Sequence, residues 1–121
     1  MQPAACRART VRVLIASILL AAIGAQFESG ETLYRKCTGQ DLELRHTCQG
    51  YITAVADSMV MYESMGAGAL VCLPAGTTKG NVTDTVVAYL QKNPSKRRLA
   101  ASGLAILALK EAYPCDDGDP D

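Results

Sequence analysis

The sequence predicts an all-α fold, a small four-helix domain with two disulfides, and three observations predict it. Apolar residues recur at spacings of three and four, Ser, Thr, Asn, Pro and Gly stand where helices should start and stop, and four cysteines remain once the amino terminus is set aside. No period-two alternation stands out except the brief run Ala69 to Leu73, and there is no internal repeat.

The first segment is expected to leave the chain. Arg7, Arg9 and Arg12, with no acidic residue among them, precede the apolar run Val13 to Ala25, the pattern of a positive n-region and a short h-region. A membrane span needs about 20 apolar residues, so cleavage fits better than a stable membrane anchor. Ala22-Ile23-Gly24 offers small residues at −3 and −1, which places the cut after Gly24 or Ala25. The organisation is then a signal peptide over 1–25, a helical domain over 26–115 and an acidic flexible tail over 116–121.

Ser29 caps a first helix from Gly30 to about Cys37, with Glu31 in its first turn and Leu33 and Cys37 on one face. Thr38-Gly39-Gln40-Asp41 breaks it. The second helix runs from about Leu44 to Met65, because Cys48, Ile52, Val55, Met59 and Tyr62 recur at four, three, four and three, with Tyr51, Ala54 and Ser58 on the flank. Met59, Met61 and Met65 read as core filler. Gly66-Ala67-Gly68 ends this helix, and Ala69 to Gly76, with Pro74, forms an ordered loop.

Thr77 or Thr78 caps the third helix, whose face is Val82, Val86, Tyr89 and Leu90. Asn93 caps the fourth and Pro94 takes its first position. That helix extends to about Tyr113, burying Leu99, Gly103, Leu104, Leu107 and Ile106, and Pro114 stops it. Short connections make helices three and four antiparallel neighbours.

Cleavage also settles the cysteine count. Cys6 is lost with the leader, and Cys37, Cys48, Cys72 and Cys115 form two disulfides in an oxidising compartment, with three pairings open. If helices two to four run up, down and up, the ends of two and four fall together. The preferred pairs are therefore Cys37–Cys48 and Cys72–Cys115. No two cysteines have the close spacing of a zinc site, and no cofactor is expected.

Removing Arg7, Arg9 and Arg12 from the twelve Lys and Arg leaves nine against twelve Asp and Glu, a formal charge of −3. Nucleic acid and anionic lipid are disfavoured as partners. Lys96-Arg97-Arg98 reads as a solvated helix face. His46 is the only histidine and has no partner for acid–base work; neither C-x-x-C nor another catalytic motif is present, so the chain does not read as an enzyme. Asn81-Val82-Thr83 matches a glycosylation sequon inside a predicted helix. Asp57 lies mid-helix among apolar residues, so it either bonds a neighbour, joins an interface, or faces solvent beside Thr53 and Met61.

Five elements in order carry a resemblance: Ser29-Gly30 with Leu33 and Cys37; Cys48-x-Gly50-Tyr51-Ile52 with Asp57; Cys72-Leu73-Pro74; Val86-Val87-x-Tyr89-Leu90 with Pro94; and Ala108-Leu109 with Ala112-Tyr113-Pro114-Cys115. The chain resembles the Rap/Tai family of periplasmic immunity proteins, which protect bacteria against peptidoglycan amidases delivered by type VI secretion. Ala54 departs from the pattern, where the family often has Gly. The resemblance implies a helical homodimer that occludes the amidase with an inserted loop. Met65 to Gly80 is the favoured contact segment, with Met65, Gly66, Gly68, Ala75, Gly76 and Thr77 as its candidate residues. A connector pinned by Cys72 is the alternative reading of that segment, and the turn from Gln91 to Arg98 is the other candidate loop. A different function class, a disulfide-bonded periplasmic stress chaperone of the HdeA type, fits the same size and compartment.

Overall fold

The computed structural model describes residues 27–116; the expected signal peptide, its cleavage site at Gly24 or Ala25, and the acidic tail beyond Asp116 lie outside the described residues. Four α-helices follow in order: α1 Gly30–Thr38, α2 Leu42–Tyr62, α3 Lys79–Lys92 and α4 Ala101–Ala112. Every pair of them is in contact. The segment Ala69–Gly76 is a loop, as expected, and its Cys72 N–H bonds the Tyr113 carbonyl after α4, at 3.0 Å.

The helix starts are set by side chains that satisfy free backbone donors. Ser29 Oγ accepts from Thr32 N at 3.1 Å, and Thr32 Oγ1 accepts from Ser29 N at 3.1 Å, a reciprocal capping box. Thr78 and Asn81 form the same box at the head of α3, which leaves Asn81 Oδ1 committed to the Thr78 N–H at 2.9 Å. Helix α2 begins two residues earlier than expected. Asp41, assigned from sequence to the break, caps it by accepting from Glu43 N and Leu44 N.

The largest difference lies between α3 and α4. Pro94–Lys96 forms a single 3-10 turn, and the α-helix does not start until Ala101. The reason is a demand from α1. Its first two N–H groups, at Gly30 and Glu31, bond the carbonyls of Leu99 and Arg97 at 2.9 and 2.7 Å, and Ser29 and Ala100 form an antiparallel bridge. Those carbonyls are thereby withdrawn from any helical ladder.

The register of α4 shifts with its start. Ala101, Leu104, Ala105, Ala108 and Leu109 are buried, whereas Leu99, Gly103 and Leu107 are exposed and Ile106 is half-buried. Three alanines on the inward face let α4 approach its neighbours closely. The core is completed by Leu33 from α1, Cys48, Ile52, Ala56 and Met59 from α2, Val71 from the connection, and Val82, Val86 and Leu90 from α3. On α2 the stripe is narrower than expected: Met59 is buried and Val55 packs at the edge, but Tyr62, Met61 and Met65 are exposed. They lie past the point where α2 outruns the helices it packs against.

Both preferred disulfides are present. Cys37–Cys48 joins α1 to α2, and Cys72–Cys115 joins the segment after α2 to the segment after α4. Among the described residues no polar or charged residue is buried.

Candidate functional site

Three glycines and one disulfide shape the long connection from α2 to α3. The last turn of α2 widens into a π-type turn, Glu63–Ala67, whose Gly66 has φ 85°; Gly68 follows at φ 83° and Gly76 at φ 86°. All three occupy left-handed backbone that side chains with a Cβ disfavour. Between them the chain is clamped. Val71 is buried, Leu70 and Leu73 pack against the core, and Cys72 is held through both its N–H and its sulfur.

This clamp divides the connection into two exposed arms. The first runs from the end of α2 through the wide turn and carries Val60, Met61, Tyr62 and Met65, between 49% and 72% exposed, followed by Gly66 and Gly68. The second is a tight turn in which the N–H and Oγ1 of Thr77 both donate to the Pro74 carbonyl, at 3.1 and 2.6 Å, presenting Ala75 and Gly76 outward. The six candidate contact residues thus divide three and three. Tyr62 and Met61, assigned from sequence to the core, join them at the surface.

A polar groove adjoins the second arm. His46, Gln49, Thr53 and Asp57 of α2 face Lys79 across a recess of about 370 Å³, and Thr53, Asp57 and Lys79 also line a neighbouring recess beside Thr77 and Thr78. Asp57 is exposed, so its carboxylate is solvated and no buried partner is required. Gly50 is exposed in the same groove, and a Cβ there would meet nothing within 4 Å. Of the other motif residues, Ile52 is fully buried, Tyr51 and Leu73 pack at the core's edge, Pro94 opens the 3-10 turn, and Pro74 and Pro114 are exposed. Among the described residues no cluster of His, Cys, Asp and Glu has the arrangement of a metal site.

In the second candidate loop, Gln91 to Arg98, the basic run expected as a solvated face is exposed at Lys96 and Arg98 but not at Arg97. The Arg97 guanidinium lies 3.7 Å from the centroid of the Tyr34 ring, donates Nε–H to the Leu90 carbonyl at 2.7 Å and faces Glu31 Oε2 at 3.8 Å. Lys96 bonds the Tyr89 hydroxyl at 3.3 Å. Arg97 is therefore a structural residue that sequence reasoning missed, since its partners come from α1 and α3. The only local sign was its place just after a helix end, where a cation can meet free carbonyls.

The family model described as Rap1a immunity proteins matches residues 29–115. No curated protein and no solved structure matches the chain.

Proposed function

The chain belongs to the Rap1a immunity protein family, and from that premise we propose that it is exported to the periplasm, where as a homodimer it binds a peptidoglycan amidase delivered by type VI secretion and occludes its substrate groove. An immunity protein answers to a cognate toxin protein, so inhibition needs a fitting surface and no chemistry of its own. The observation that carries the reading is the extent of the family match, from the cap of α1 to the last cysteine, which is the whole helical domain. Two disulfides suit an oxidising compartment.

The two arms are the part of the molecule best shaped to enter a groove. Tyr62 and Met65 offer apolar contact area of the kind that anchors interfaces, on backbone that the clamp holds at one point. The test is to express, in the periplasm, an amidase encoded beside this gene, with and without the chain. Protection from lysis and copurification of the two proteins are expected, and Tyr62→Ala with Met65→Glu should weaken binding by at least about ten-fold while leaving the fold intact. Failure to bind, together with suppression of aggregation at low pH, would instead establish the chaperone.

A further inference from the structure

The two disulfides differ in what surrounds them. Cys37 lies inside α1 and Cys48 inside α2, and Cys48 is only 1% exposed within the core. Cys72 is exposed in the α2–α3 connection and Cys115 is half-buried beyond the end of α4, so neither partner of this bridge belongs to a helix. Thiol–disulfide exchange requires an incoming thiolate to reach a sulfur, which makes access the first determinant of which bridge reacts. Apart from the bridge, the connection is tied to the carboxyl-terminal segment by one backbone bond, Cys72 N to Tyr113 O, and seated by Val71 with Leu70 and Leu73 at the core's edge.

We infer that Cys72–Cys115 is a thiol–disulfide exchange site for a dithiol reductant, and that opening it unfastens the connection between α2 and α3 while the four helices persist. A thiolate of the dithiol attacks the sulfur of the exposed Cys72, and the S–S bond breaks. Cys115 departs as a thiolate and takes a proton from water. The second thiol of the reductant then attacks the mixed disulfide, leaving Cys72 as a thiol and the reductant as its own disulfide. Two electrons pass to the protein. The same arms that the immunity reading assigns to the toxin lose their covalent tether, so under that reading reduction disarms the inhibitor without unfolding it.

The experiment uses the oxidised mature protein with dithiothreitol as the dithiol, in native buffer, quenched at intervals by alkylation. Peptide mass spectrometry should show Cys72 and Cys115 labelled about ten-fold or more ahead of Cys37 and Cys48. Over that interval far-UV circular dichroism should hold, and deuterium uptake should rise over residues 65–78 and 113–116 but not within α1 or α2. Simultaneous opening of both bridges, earlier labelling of Cys37 and Cys48, or loss of helicity in step with labelling would overturn the inference. No toxin enters that measurement, so its outcome stands apart from the immunity reading. Paired substitution Cys72→Ser with Cys115→Ser gives the second check: uptake over 65–78 matching the reduced protein supports the tether, and uptake matching the oxidised protein refutes it.

Discussion

Arg97 closes the end of α3 and the face of α1 with one side chain. Its guanidinium meets a carbonyl of α3 and the ring of Tyr34 at once, whereas its ion pair with the half-exposed Glu31 adds little. Arg97→Ala is expected to lower unfolding free energy by about 2 kcal/mol, since it removes the stack and a charge-assisted bond to the Leu90 carbonyl, which keeps only the longer bond from Asn93 N at 3.3 Å. Arg97→Lys should recover little of that, because an ammonium cannot present a planar fork, and urea denaturation of the three proteins checks the order. Glu28 offers a pH-dependent case. Burial alone pushes its carboxyl up, but hydrogen bonds from Lys36 and Thr32 and the Lys36 charge together outweigh it and hold the carboxyl below its ordinary value. A lowered value in the folded chain means that its stabilisation is present above the unfolded glutamate value and disappears as pH falls through the folded one. The urea midpoint should therefore decline as pH drops below about 4.5, and Glu28→Gln should be less stable at neutral pH and show a shallower acid slope. Neither residue was visible as a contact in the sequence. Glu28 and Lys36, eight residues apart, meet only because Ser29 turns the chain into α1.

Helices announce themselves locally, and their partners do not. Ser29, Thr78 and the glycines after α2 were legible as boundaries because capping and left-handed backbone are properties of a few adjacent residues. The family itself was legible from cysteine spacing and the motifs between. Helix α4 was misread because Pro94 fits a helix start as well as it fits a 3-10 turn, and only the donors of α1 decide between them. Counting leucines then placed Leu99 and Leu107 inside, whereas close packing selected alanines. That close approach makes Gly30 a sensitive position. A Cβ there would lie 2.4 Å from Leu104 Cδ1 and 2.9 Å from the Arg97 backbone. Gly30→Ala should cost about 1–3 kcal/mol by overpacking the junction of α1, the 97–101 turn and α4, measurable as a fall in melting temperature, while Gly50→Ala on an open helix face should be neutral or slightly stabilising.

At the scale of the whole molecule, the core is small and each disulfide supplements it at a different place. Replacing Cys37 and Cys48 by Ser should lower stability by about 3 kcal/mol, read from a two-state urea transition, since the pair links the first two helices next to the core. The four bridged cysteines also pair in their order along the chain, Cys37 with Cys48 and Cys72 with Cys115. For the helical domain emerging amino end first, each native partner is the next of these four thiols still unpaired, so oxidation in order of emergence yields the native connectivity without reshuffling. Export into an oxidising compartment that lacks a disulfide isomerase should then yield the native pairs as fully as export with the isomerase present, and a yield that depends on the isomerase would contradict this. Connectivity here is a folding instruction written in sequence order: a cell that makes the protein can cross-link it correctly with the simplest machinery it has.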